Sequence, residues 1–285
     1  MSETPVFVYI YTRAVHAYSA DLSIDTILTQ EQKSSTPFNT FVMQQSDNKA
    51  SIMVLIPCYQ EANNIGLIAG ACVRLGYTTI VIDDGSTDGT ADRARAAKAT
   101  VLRQEKNEGK GAAVAVGLRY ALNAECNAAV LLDGDGQHLP SEIKRFVDAY
   151  RASHADCIVG NRMSDTANMP FVRRQTNRFL SWLLSKQMGQ RISDTQCGFR
   201  LIARRAIPDA LLCLSSGFSA DSKMLLQLAQ YGYAIAEVPI STIYGDEKSK
   251  IRPVRDTLRF IRMLSKFRRQ RRAWTSAGKS DNIHR

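Results

Sequence analysis

The chain has 285 residues, 45% of them hydrophobic, with a formal net charge of +10, enough for one large α/β domain or two small ones with a real core. Three things are not visible in this sequence: an apolar run near the roughly 18–20 residues of a spanning helix, the pattern of a secretory signal, and any zinc-like spacing among Cys58, Cys72, Cys126, Cys157, Cys197 and Cys213. A cytoplasmic protein with reduced thiols is expected. The charge is concentrated, because residues 252–272 hold nine Lys and Arg against one acid, Asp256, and such a tail suits anionic lipid, nucleic acid or solubility.

Residues 1–49 are β-like over 6–11 and otherwise a polar mix without a sustained period, so they read as a partly disordered extension. Regular patterning starts at Ser51. Strands are predicted over 52–56, 79–82, 100–103, 128–132 and 157–159. Helices are predicted between them over 63–75, 87–97, 111–123 and 141–150, with Ser86 or Thr87 capping the second and Ser141 the fourth. Later come a long helix over 171–188, a strand over 199–202, a helix over 221–231 and a strand over 234–240. A basic amphipathic helix is predicted over 253–269, its apolar face made by Val254, Leu258, Ile261, Leu264 and Phe267. Strands alternating with helices imply an α/β fold with a mostly parallel sheet. No linker divides residues 50–251, so one compact domain is expected, flanked by the extension and a basic tail over 252–285.

Unusual residues gather where the predicted strands end, and in open parallel sheets ligands sit at those carboxyl ends. Asp133-Gly134-Asp135-Gly136-Gln137-His138 follows a buried strand. Two carboxylates so close repel unless something neutralises them. Mg²⁺ or Mn²⁺ does so by bridging them to phosphate oxygens. Gly134 and Gly136 let a ligand approach the backbone. Asp83-Asp84-Gly85-Ser86 ends another strand; one of Asp83 and Asp84 suits a nucleoside base or ribose hydroxyl, while Ser86 and Asp88 read as turn residues. Lys110, in Gly109-Lys110-Gly111 before a helix, suits an anion, although the full phosphate-loop pattern is lacking.

These pieces, with Ile56-Pro57-Cys58-Tyr59-Gln60-Glu61, Gly160-Asn161-Arg162, Gly198-Phe199-Arg200 and Glu237-Val238-Pro239, occur in the order and spacing of family 2 glycosyltransferases. The run from about Ser51 to Leu264 most resembles the polyprenyl-phosphate (dolichyl-phosphate) mannose and glucose synthase branch. The resemblance implies a Rossmann-like GT-A fold, a nucleotide-sugar donor, a divalent metal and inversion at the anomeric carbon. By position it implies that Pro57, Tyr59 and Glu61 border the nucleoside together with Asp83 or Asp84. Asp133 and Asp135 would form the donor and metal motif, with Gln137 as a further ligand. Arg162 would lie near phosphates or acceptor, Arg200 and Arg174 are weaker matches, and Ser249-Lys250 resembles a late pair that covers donor phosphates.

The expected reaction is transfer of a hexose to polyprenyl phosphate, with the departing diphosphate stabilised by metal and by Arg and Lys groups. An acceptor phosphate is already an anion and needs no strong base. A saccharide or small-molecule hydroxyl, the alternative acceptor, would need one, and Asp194 and Asp221 are the candidates. Where many relatives carry an acid in the helix after Gly217-Phe218, this chain has Lys223. The basic tail would hold the protein at the inner face of the cell membrane. No nucleic-acid-binding module accompanies it, so nucleic acid is not an expected partner.

Overall fold

Every residue of β1 (Ile52–Cys58) is buried, and strands flank it on both sides. A run apolar on both faces needs cover above and below, as in a parallel sheet sandwiched by helices. The computed structural model describes residues 51–164, 166, 169–214, 220–243, 260–265 and 267. Beyond β1 the strands are β2 (Thr78–Asp83), β3 (Thr100–Arg103), β4 (Ala128–Leu131), β5 (Cys157–Asn161), β6 (Arg200–Ala203) and β7 (Ile235–Pro239). They form one sheet in the order β3-β2-β1-β4-β6-β5-β7.

The pairs β1–β2, β2–β3, β1–β4 and β5–β7 are parallel, whereas β6 runs antiparallel to both β4 and β5. The expected mostly parallel α/β sheet is therefore present. From β1 the chain steps outward to β2 and β3, then returns to place β4 on the other side of β1. That reversal opens a crevice beyond the carboxyl ends of β1 and β4.

The helices packed around the sheet include α1 (Ile65–Arg74), α2 (Thr90–Ala96), α3 (Lys110–Asn123), α4 (Ile143–Ser153), α5 (Phe171–Met188), α6 (Ile207–Leu211) and α7 (Ala220–Gln230). The short α6 has no counterpart among the predicted elements. Two expected caps are absent. α2 starts after Gly89, in left-handed backbone at φ 85°, rather than at Ser86 or Thr87. The Ser86 hydroxyl instead accepts the Gln60 N–H, and the Thr90 N–H goes to Asp88. Ser141 lies inside a 3₁₀ turn (Pro140–Glu142) that leads into α4 and makes no side-chain cap.

Residues 260–265 are helical. Phe260 and Leu264, one helical turn apart, are buried in the core, while Ile261 is 41% exposed. Of the predicted stripe, Leu264 is buried and Phe267 packs against the core, as expected, whereas Ile261 is exposed and Phe260, outside the stripe, takes a place in the packed face. The extension, Lys250 and the start of the predicted C-terminal helix lie outside the described residues.

Candidate active site

The crevice at the β1/β4 switch is a cleft of about 330 Å³, lined from β1 by Pro57, Tyr59 and Glu61, from the β2 end by Asp84, from α3 by Lys110, and from the β4 end by Asp133, Gly134 and Asp135. Cys58, Asn107, Gly109 and Ala113 complete it. The residues expected to border the donor thus share one cavity, with the exception of Asp83.

Asp83 is fully buried; its carboxylate accepts the Ser86 N–H and pairs with Arg103. It shapes the turn. Asp84 reaches the cleft wall, and its two oxygens accept the backbone N–H groups of Glu108 and Gly109 at 2.8 Å each. This carboxylate therefore fixes the loop that presents Lys110.

Lys110 is the centre of charge. Its ammonium lies 2.6 Å from Asp133 Oδ1 and 3.2 Å from Asp221 Oδ2. Burial alone would push this ammonium's pKa down; the Asp133 and Asp221 charges outweigh it and hold the pKa above the usual lysine range. Burial likewise works to raise the Asp133 pKa, and the Lys110 charge overrides it and keeps the carboxylate ionised. Asp221 enters from the first turn of α7, a meeting that no sequence spacing announces.

The backbone around Asp133 is built for close approach. A Cβ on Gly198 would lie 2.8 Å from Asp133 Cγ, and one on Gly134 would lie 3.0 Å from Cys58 Cβ. Glycine at 198 leaves the volume that the carboxylate occupies. The Gly198-Phe199-Arg200 motif carried this signal, but its neighbour was not legible. Asn64, also missed, donates to Glu61 Oε2 and to the Asp135 carbonyl, joining the β1 and β4 loops.

Arg162 and Asp194 form a separate, buried pair: Arg162 Nε to Asp194 Oδ2 at 2.6 Å and Nη2 to Oδ1 at 2.9 Å. Burial works to raise the Asp194 pKa, but the Arg162 charge and hydrogen bonds hold it below the ordinary carboxylate value. Asp194 is thus the counter-ion of Arg162 and no free base. Arg200 also departs from its expected catalytic place. It is fully buried, and its three guanidinium nitrogens donate to the carbonyls of Cys197, Asp221 and Thr195. Through the Asp221 carbonyl it positions the start of α7.

The donor chemistry beside Asp133 suits a hard cation: Asp133 and Asp135 are oxygen donors on one loop facing one cleft. Lys110 already places positive charge against Asp133. Among the described residues no three His, Cys, Asp or Glu side chains converge as a ready-made cage. The expected further ligand, Gln137, does not line the cleft. Its Oε1 accepts from Arg173 Nη2 at 3.4 Å, and its backbone N–H turns back to Asp135 Oδ1. His138 is buried against Phe199, with ring centroids 5.4 Å apart. Burial drives its pKa down to about 4, with Arg162 and Lys110 adding to the effect and Asp133 opposing it.

Residues 53–211, more than half of the chain, match the family described as glycosyl transferase family 2. The chain belongs to that family. Within it, an undecaprenyl-phosphate mannosyltransferase of Micrococcus luteus is 32% identical over 67% of this chain and 83% of its own length. A polyprenol monophosphomannose synthase of Mycolicibacterium smegmatis is 30% identical over 66% and 76% respectively. A UDP-N-acetylglucosamine–dolichyl-phosphate N-acetylglucosaminyltransferase of Methanococcus voltae is 27% identical over 68% and 86%. Among solved structures, glucosyl-3-phosphoglycerate synthase from Mycobacterium tuberculosis, in complex with Mn²⁺, UDP and phosphoglyceric acid, superposes with a TM-score of 0.56 at 20% identity, over 70% of this chain and 72% of that one. At that identity the likeness establishes the fold, which is GT-A. The protein is a glycosyltransferase.

Proposed function

We propose that this glycosyltransferase inverts the anomeric carbon while moving a hexose from a nucleotide sugar to polyprenyl phosphate, with a divalent cation, at the inner face of the cell membrane. One observation carries the reading: the switch-point cleft combines Asp133 and Asp135 on a single loop with the Lys110 ammonium against Asp133. The lipid-phosphate acceptors in the relatives' names support the choice of acceptor.

In this reading Pro57, Tyr59, Glu61 and Asp84 form the nucleoside wall. Asp133 and Asp135 would hold Mg²⁺ or Mn²⁺, which supplies Lewis-acid charge to the departing diphosphate. Lys110 leaves Asp133 to face the same phosphates, so its charge is ready without reorganising solvent. The acceptor phosphate attacks as an anion, consistent with Asp221 being tied to Lys110 and Asp194 to Arg162. Arg162 orients the acceptor side, with Asp194 fixing its plane, and Arg200 acts by positioning α7. Lys250 covers the donor phosphates. Residues 50–251 form the catalytic domain, with 1–49 and 252–285 as appendages.

The test is transfer of radiolabelled sugar from a panel of nucleotide sugars to polyprenyl phosphate, with Mg²⁺ or Mn²⁺ and with chelator, for the wild type and Asp135→Ala. Glycolipid that requires metal and disappears in the variant is the expected result. Metal-dependent donor hydrolysis without glycolipid would move the acceptor to a hydroxyl compound. No binding or turnover of any donor would sink the reading.

A further inference from the structure

Residues 192–196, between α5 and β6, have neither helix nor strand. A segment without a ladder or helical turn must find other acceptors for its N–H groups. Here side chains supply all five. From α5, Ser185 Oγ takes the Ile192 N–H at 2.9 Å and Ser181 Oγ takes that of Thr195 at 3.0 Å. Asp194 Oδ1 takes the Gln196 N–H at 3.3 Å. The remaining two, of Ser193 and Asp194, go to Glu237 Oε1 on β7, at 2.8 and 3.3 Å. Its other oxygen, Oε2, accepts the Ser193 hydroxyl at 3.1 Å.

Glu237 opens the Glu237-Val238-Pro239 motif, yet it is not among the described residues that line the donor cleft. Its carboxylate is committed to Ser193 and Asp194. Asp194 in turn accepts from Arg162 three times: from the backbone N–H at 3.1 Å, from Nε at 2.6 Å and from Nη2 at 2.9 Å. β7 also runs beside the strand that delivers Arg162. It pairs with β5 from Cys157↔Ile235 to Asn161↔Pro239, and Arg162 follows Asn161. Sheet, loop and guanidinium thus form one chain of contacts, from Glu237 to Asp194 to Arg162, in which each acceptor fixes the next group.

We infer that Glu237 is a positioning residue for the acceptor side of the site: by its reach, and not by its charge, it holds Asp194 where Asp194 fixes the plane of Arg162. Reach and charge are separable. A glutamine at 237 keeps a carbonyl oxygen for both N–H groups and turns its amide N–H towards the Ser193 hydroxyl. An aspartate keeps the charge but withdraws it by about 1.5 Å, one carbon–carbon bond. Hydrogen bonds that stand at 2.8 and 3.3 Å then leave bonding range. Released at 193 and 194, the loop lets Asp194 turn, and Arg162 loses the close placement that a functional side chain takes from its supporting shell. The effect on sugar transfer rests on the proposed acceptor-side role of Arg162; the link from Glu237 to Arg162 does not.

The experiment follows solvent exchange of the Arg162 Nε–H by NMR in the full chain, the resonance being assigned by its loss in Arg162→Lys. Donor and acceptor KM for transfer to polyprenyl phosphate are measured beside it. Glu237→Asp is expected to speed the exchange and to raise the acceptor KM, each by about tenfold, the worth of one hydrogen bond to a charged group. The donor KM stays at the wild-type value. Glu237→Gln leaves all three quantities near wild type. Exchange and acceptor KM that are unmoved in Glu237→Asp, or that move as far in Glu237→Gln, would overturn the inference. So would a common rise of donor and acceptor KM with a lowered urea midpoint in both variants, which is what a merely structural carboxylate gives. If Glu237→Asp does not fold, Ser193→Ala, which removes the contact to Oε2 alone, takes its place. Exchange and acceptor KM are then expected to rise about threefold, and no rise overturns the inference. A wild type that transfers no sugar to polyprenyl phosphate sinks the proposed function, while the Arg162 exchange still decides the link from Glu237.

Discussion

The pairs Lys110–Asp133 and Arg162–Asp194 both lie at the active-site edge of the sheet, but their settings differ. The first opens to the cleft: the Lys110 side chain is 41% exposed and is shared with Asp221. The second is sealed, with Arg162 5% and Asp194 0% exposed, and it is bidentate. An open pair can exchange partners at small cost, because water compensates each charge. A sealed pair cannot, because removing one member strands the other in a medium that solvates it poorly. Lys110–Asp133 is therefore the pair that can open to a ligand, where the proposed function seats its cation and diphosphate, and Arg162–Asp194 is framework that holds an arginine in one orientation.

Substitutions should separate the two. Asp133→Asn is expected to lower sugar transfer by about 100- to 1000-fold while leaving the denaturation midpoint nearly unchanged. An equal loss of stability would erase the distinction. Asp194→Ala should do the reverse in kind, costing about 3–5 kcal/mol in urea unfolding. A cost below about 1 kcal/mol would mean that Arg162 finds water or another partner.

His138 sharpens the comparison through pH. Its folded pKa of about 4 lies below the 6.5 of a free imidazole, so between those values the unfolded chain binds more protons. Stability then falls as pH drops from 6.5 towards 4, by about 3 kcal/mol in all. The Asp194 pair keeps its contribution throughout this window, since its depressed pKa loses it only at still lower pH. Urea midpoints for the wild type and His138→Gln between pH 7 and 4.5 check this: the variant's profile should be flatter.

Gly198→Ala tests the open pair sterically. The new Cβ would collide with the Asp133 carboxylate, and displacement of about 1 Å costs around 100-fold in rate. Activity is measured beside the unfolding midpoint, and unchanged turnover would show that Asp133 has room to move. The smallest effect belongs to an exposed pair far from either site, Lys144–Asp148 on α4. Its removal should change stability by less than about 0.5 kcal/mol.

Much of the fold was legible because buried strands read as short apolar runs ending in polar loops. Thr100–Arg103 and Phe171–Met188 fall on their predicted bounds. The direction of β6 was not legible, since Arg-Leu-Ile-Ala is equally apolar whichever way it runs. At the site, the loop from Asp133 to Asp135 announced itself by placing two acids after a buried strand. Two features did not. Lys110 meets Asp221 across 111 residues of sequence. Arg200 is buried for carbonyls that only the folded backbone assembles.

The most direct test is Mn²⁺ binding, followed by electron paramagnetic resonance with and without a nucleoside diphosphate, in the wild type, Asp133→Asn and Lys110→Met. If the open pair is the cation entry point, Mn²⁺ binds the wild type together with the nucleotide and is lost in Asp133→Asn. It binds Lys110→Met more tightly in the absence of nucleotide, because the competing ammonium is gone. Mn²⁺ binding that is unchanged in Asp133→Asn, or weakened in Lys110→Met without nucleotide, would contradict the account.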